Sequence, residues 1–411
     1  MAEILLGGVA RVFPGGVKAV ERLDLTVQDG ELLALLGPSG CGKSTTLRLI
    51  AGLDSPTAGE IRIGGRDMSG VPARDREIAM VFQRVGLFPH RSAFDNIAFG
   101  LRLRSEAFGW RQWLPRRQWL PRRGWLRRRP LDEDGYNSGG IAGRVQAAAG
   151  LLRIEGLLQR CPGELSGGEQ QRVALAKALA SSPHAMLLDE PFSQLDAALR
   201  RALRDELRQL HQKRKITTVF VTHDQAEALA LGDRVAVMNR GAIEQIGSPR
   251  EIYDRPRTRF VAEFVGEPAM NFATVRPVDL GGWLFVAWGG HSFPLPVEIS
   301  EQVKLRTLSE LTCGVRSEDV QVIRQDCWVE GKEEICWVSR PVTVSNVNFH
   351  GGASVMTVGL PAEGNPEALA AQWRAKISGD EDFRPGDQVR LCIDRTKVHW
   401  FDSKTGLNLR A

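Results

Sequence analysis

Gly37-Pro38-Ser39-Gly40-Cys41-Gly42-Lys43-Ser44-Thr45 is the stretch whose reading decides the fold. Five apolar residues, Leu32–Leu36, run into it, and a helix candidate, Lys43–Ala51, leads out of it. Strand, glycine-rich turn and helix in that order build a cradle for phosphate. The glycines let backbone N–H groups point inward, and the helix N-terminus adds partial positive charge. Lys43 is spaced to reach the β- and γ-phosphates of a nucleoside triphosphate, and the Ser44 hydroxyl to ligate Mg²⁺.

Working outward, Ala185–Glu190 (AMLLDE) is an apolar run that delivers two carboxylates at its end, where α/β sheets place their ligands. Asp189 is positioned to hold the Mg²⁺ shell, and Glu190 to act as general base on an attacking water. Further strand candidates are Ile78–Phe82, Thr217–Thr222 and Val235–Met238; further helix candidates are Glu169–Ala180 and Ala197–Lys215. The last carries Leu199, Leu203, Leu207 and Leu210, whose three-to-four spacing gives one buried face among many charges. Alternating short apolar runs and helices predict an α/β domain with a largely parallel sheet.

Leu165-Ser-Gly-Gly-Glu-Gln-Gln-Arg172 precedes a helix and lies just upstream of the Asp189–Glu190 pair. Ser166, Gly167 and Gly168, with Glu169, form a second phosphate-binding helix N-terminus. This octet resembles the signature motif of the ABC ATPases. The resemblance implies a head-to-tail dimer, with a second copy or a close homologue, in which each signature closes over the partner's ATP. It also implies that Gln83 contacts Mg²⁺ and the attacking water, that His223 is the switch histidine at the γ-phosphate, and that Asp196 of Ser193–Asp196 lies in a loop crossing the dimer interface. Gln194 departs from the Ala or Asn more usual there. Phe13 stands where the family stacks an aromatic on adenine, with core packing as the rival reading.

Beyond residue 268 the texture turns β-rich, with candidates Trp283–Trp288, Val342–Val347, Ser354–Leu360 and Gln388–Ile393. This predicts a small all-β, barrel-like domain. Gly241–Glu251, Phe260–Asn271, Gly314–Val320 and Lys397–Leu409 resemble the solute-importer subgroup, whose ATPases carry a C-terminal OB-type domain. The expected layout is an ATPase domain over 1–255 with a helical subdomain about 84–170, a linker over 256–268 and the β-domain over 269–411. The subgroup implies separate membrane-spanning permease subunits and an external solute-binding protein as partners. Sugar importers are the best match, with sulfate, polyamine and iron importers sharing the architecture. A non-transport ABC ATPase acting on DNA or ribosomes is the second reading.

The net charge of +5 does not argue for nucleic acid, because residues 107–140 alone account for it, with eight Arg against Asp132, Glu133 and Asp134. That insertion repeats QWLPRR at 112–117 and 118–123 and continues GWLRRR at 124–129. It reads as a solvated surface loop, with contact to anionic lipid or an acidic partner as the sharper alternative. No apolar stretch reaches the length of a membrane span and no secretory signal opens the chain. A peripheral position on the cytoplasmic face of the inner membrane is therefore expected. The six cysteines form no C-x-x-C pair, and free thiols are the expectation.

Overall fold

The five leucine and alanine residues of Leu32–Leu36 form a strand buried along its whole length, as a strand covered on both faces must be. In the computed structural model, which describes residues 2–110, 140–193, 195–288, 291–325, 336–362, 365–379 and 381–410, the chain divides after Pro249 into two compact units.

The first unit begins with β1 (Ile4–Val12), β2 (Lys18–Val27) and β3 (Leu32–Leu36), followed by α1 (Lys43–Ala51). Next come β4 (Ala58–Ile63), β5 (Arg66–Asp67), β6 (Ile78–Val81), α2 (Ala93–Trp110), α3 (Gly140–Leu151) and α4 (Gly167–Ala180). It ends with β7 (Ala185–Asp189), α5 (Ala197–Arg214), β8 (Thr217–Thr222), α6 (Gln225–Leu231), β9 (Arg234–Asn239) and β10 (Ala242–Gly247). The central sheet runs β10-β9-β3-β8-β7-β6, parallel except for its β10–β9 edge. The expected strands all lie in it. Their C-terminal ends bring the loops after β3, β7 and β8 to one edge, where such sheets bind ligands.

A second, antiparallel sheet, β2-β1-β4-β5, was not foreseen. Ile4, Leu6 and Val9 bury one face of β1, as Val20, Leu23, Leu25 and Val27 do for β2. Register shifts after Leu6 interrupt the alternation that would have announced the strand. Helices α2, α3 and α4 pack on one another away from that sheet's pairing. The Trp/Arg repeat at 112–129, the heart of the insertion, lies outside the described residues.

The second unit contains α7 (Pro249–Asp254, less its first residue), α8 (Arg259–Phe264) and α9 (Val297–Arg306). Among the described residues its strands form three antiparallel sheets around one core in which Trp288, Phe293, Trp337, Trp373 and Trp400 pack ring against ring. Segment 256–268, expected as a linker, belongs to this unit. Asn408 donates to the Pro256 carbonyl at 2.7 Å and the Arg259 N–H to that of Gly406 at 2.7 Å. Buried Arg316 adds donations to the carbonyls of Ala262 (3.2 Å), Val265 and Tyr253 (2.8 Å). One guanidinium thus ties two short helices to the β core, its fork satisfying carbonyls that water cannot reach. Helix α9, with Ile299 and Val303 in the core, is a departure from the all-β expectation. Cys41, Cys161, Cys313 and Cys336 are free thiols; Cys327 lies outside the described residues. Among the described residues no helix is long and apolar enough to cross a membrane.

Candidate active site

The turn after β3 closes at Gly42, which caps α1 with φ +108°. A Cβ there would stand 2.4 Å from the Ala19 carbonyl oxygen, so both conformation and space require glycine. The turn delivers Lys43 to a position only 5% exposed. Its Nζ donates to the carbonyls of Gly37 at 2.7 Å and Pro38 at 2.9 Å. The third ammonium donor reaches only the weak sulfur acceptor of Cys41 at 3.8 Å, which an incoming phosphate oxygen can readily replace. Ser44, next on the helix, donates its hydroxyl to Asp189 Oδ1 at 2.9 Å, joining the loop after β3 to the end of β7.

Burial chiefly, opposed by that hydrogen bond and reinforced by the charge of Glu190, raises the Asp189 carboxyl above the usual carboxylate range. Two adjacent carboxylates, one half-buried, favour a divalent cation beside them. Among the described residues no three His, Cys, Asp or Glu side chains converge to hold a metal by themselves. The donor set of one carboxylate, one hydroxyl and one amide fits Mg²⁺, which is commonly held by one or two carboxylates together with substrate phosphates.

Glu190 has φ +44°, a left-handed conformation that costs a non-glycine residue energy and recurs where geometry serves a function. Its N–H donates to the Val221 carbonyl at 2.9 Å, and the Ser193 hydroxyl donates to the Glu190 carbonyl at 3.0 Å, so the turn is held from both sides. Both carboxylate oxygens are engaged. Gln83 Nε2 donates to Oε2 at 2.8 Å, and His223 Nδ1 lies 3.1 Å from Oε1. The turns that follow β6, β7 and β8 thereby meet at one carboxylate.

The Ser166–Glu169 turn is a capping box: the Ser166 N–H donates to Glu169 Oε2 at 2.8 Å, and the Glu169 N–H to Ser166 Oγ at 3.4 Å. The backbone donation from Ser166 holds the Glu169 carboxyl below its ordinary range. The start of α4 is thus a pre-ordered set of N–H donors. A Cβ on Gly168 would lie 2.1 Å from Leu199 Cδ2. Gly168→Ala is expected to force that leucine aside, costing about 1–3 kcal/mol of stability and displacing the capped turn. Hydrolysis should fall about tenfold, a modest misplacement penalty, and Leu199→Ala in the same chain should restore it. Chemical denaturation and steady-state hydrolysis of the three variants check this.

Asp196 caps α5, accepting from the N–H groups of Ala198 and Leu199 at 3.1 and 2.9 Å. Phe13 is half-buried in the β1–β2 turn, with the Arg11 guanidinium 4.8 Å over its ring. Neither it nor the Ser166–Glu169 turn joins the Glu190 cluster by a hydrogen bond. Gln194 lies outside the described residues. Sequence reasoning missed Arg200, Thr222, Asp224 and Glu227 around His223. Asp224 followed three residues later by Glu227 is a helix-start pattern that could have flagged two of them. The Asp224 side chain does accept the Glu227 N–H at 3.1 Å. The Glu227 side chain instead takes the Thr222 hydroxyl at 2.6 Å, and burial raises its carboxyl above the usual range.

A phosphate cradle at the edge of a parallel sheet, with an Asp-Glu pair at the end of a neighbouring strand, defines a P-loop nucleoside triphosphatase. The ABC transporter family model matches residues 20–193 and the TOBE domain model residues 313–401. The sn-glycerol-3-phosphate import ATP-binding protein of Yersinia enterocolitica is 38% identical over 420 residues, covering 100% of both chains. The trehalose/maltose import ATP-binding protein of Thermococcus litoralis is 39% identical over 415 residues, covering 99% of each. The xylose/arabinose import ATP-binding protein of Haloferax volcanii is 38% identical over 410 residues, covering 99% of this chain and 95% of its own. The chain belongs to the ATP-binding subunits of ABC importers. It is an ATPase whose hydrolysis is coupled to transport.

Proposed function

We propose that this subunit hydrolyses MgATP at two composite sites of a head-to-tail dimer and drives uptake of a sugar, a polyol or a related glycerol phosphate. The observation that carries the catalytic part is the meeting of Gln83 and His223 on the two oxygens of Glu190. Lys43 and the N–H groups of the Gly37–Thr45 loop bind the phosphates; Ser44, Asp189 and Gln83 hold Mg²⁺. When bound, Mg²⁺ supplies positive charge that offsets the charge on the transferring phosphoryl group. Glu190 takes a proton from water as its oxygen bonds to the γ-phosphorus and the bond to the ADP oxygen breaks. His223, held on Glu190 through Nδ1, keeps Nε2 for the γ-phosphate. Ser166, Gly167, Gly168 and Glu169 present their helix N-terminus to the partner's ATP, Asp196 lies at the crossing between protomers, and Phe13 stacks on adenine.

The membrane partners in this reading are separate permease subunits, fed by an external solute-binding protein, with this chain on the cytoplasmic face of the membrane. No role with nucleic acid is proposed. The relatives import glycerol 3-phosphate, trehalose or maltose, and xylose or arabinose, which supports a polyhydroxylated solute over sulfate, polyamine or iron. Deleting the gene in its host should abolish uptake of at least one labelled sugar, polyol or glycerol phosphate. Restoring the wild-type chain should recover uptake, and a Glu190→Gln chain should not. Unchanged uptake of every such solute would refute the substrate class.

A further inference from the structure

Helix α5 touches both halves of the machinery within one chain. On one side, Leu199 fills the space beside Gly168, and Glu206 accepts from Arg172 of the signature at 3.1 Å. On the other, Arg200 reaches the loop that carries His223. Its Nη1 lies 3.4 Å from Asp224 Oδ2 and its Nε 3.7 Å from Glu227 Oε1, while Nη2 donates to the Leu195 carbonyl at 3.2 Å. Asp224 and Glu227 grip the residues flanking His223. The Asp224 N–H donates to Thr222 Oγ1 at 3.0 Å, and that hydroxyl donates to Glu227, whose side chain is only 5% exposed. Arg200, Glu190 and His223 also border one cavity of about 20 Å³, room for a single water.

We propose that Arg200 is a positioning residue that sets His223 against Glu190, and that α5 passes signature closure at one ATP to the hydrolysis site at the other. The second half rests on the head-to-tail dimer proposed above. Leu199 and Arg200 are consecutive on one helical turn, so a shift of the signature against Leu199 must carry the guanidinium with it. Only a planar fork reaches a carbonyl and two carboxylates from one position; a lysine in its place satisfies one of them.

The test uses the full chain with Arg200→Met and Arg200→Lys, alone and combined with Glu190→Gln. In Arg200→Met kcat should fall about 30-fold, a partial loss below the roughly 10²–10⁴-fold that a positioned acid–base group contributes, with the KM for ATP and the Tm close to wild type. The Hill coefficient for ATP should drop from near two, the ceiling for two sites, to about one. Arg200→Lys should recover only part of kcat. An Arg200→Met kcat within twofold of wild type overturns the positioning role, as do parallel losses in KM and Tm, which mark a merely structural residue. Unchanged cooperativity with a reduced kcat overturns the coupling. A Glu190→Gln chain that stays monomeric with MgATP while Arg200→Met still loses kcat removes the dimer, and the coupling with it, but upholds the positioning of His223.

Discussion

Lys43→Ala is expected to lower kcat/KM for ATP about 10³-fold, the loss that follows removal of one pre-aimed donor from developing charge. Two effects add. The buried ammonium is the loop's only side-chain cation within the Gly37–Thr45 stretch, so the phosphates lose their charged donor. The Gly37 and Pro38 carbonyls, which take Nζ at 2.7 and 2.9 Å, lose theirs too, and the loop relaxes away from the shape that fits phosphate. Both weaken binding, so the fall should appear in KM as well as kcat. Titration with a fluorescent ATP analogue and steady-state kinetics check this together. An unchanged affinity would mean that the backbone N–H groups hold the phosphates unaided.

Glu190→Gln is expected to show a different signature: turnover should drop about 10²–10⁴-fold, the contribution of a positioned general base, while ATP affinity is kept. An amide preserves the shape but cannot take the proton. Its contacts also change. Gln83 Nε2 can still donate to the amide oxygen, whereas the second carboxylate oxygen, 3.1 Å from His223 Nδ1, becomes an NH₂ that cannot accept. His223 is thus loosened just where charge must be stabilised. Single-turnover hydrolysis together with nucleotide binding separates the two terms. A variant with more than a tenth of wild-type turnover would show that Glu190 is not the base.

The site was legible where its chemistry is local. Lys43, Ser44 and the Asp189–Glu190 pair follow their strands directly, so a linear pattern announces them. Ser166–Gly168 carried its own capping signature. The antiparallel sheet at the start was obscured because bulges at Val9 and Arg11 break the two-residue period. Helix α9 was missed because only Ile299 and Val303 are buried along it, too little apolar periodicity to declare a helix. Arg200 was hidden for a different reason. Its partners Asp224 and Glu227 are 24 and 27 positions away, and among the arginines of α5 nothing in the sequence marks the one that reaches the loop carrying His223.

In the proposed dimer Gly37–Thr45 is half a site, completed by the signature of another copy. Light scattering on the Glu190→Gln chain, with and without MgATP, tests it most directly. The expected result is a nucleotide-dependent shift to the mass of two chains with two ATP retained, abolished by Ser166→Arg. A monomer that binds ATP fully and never doubles in mass would contradict it.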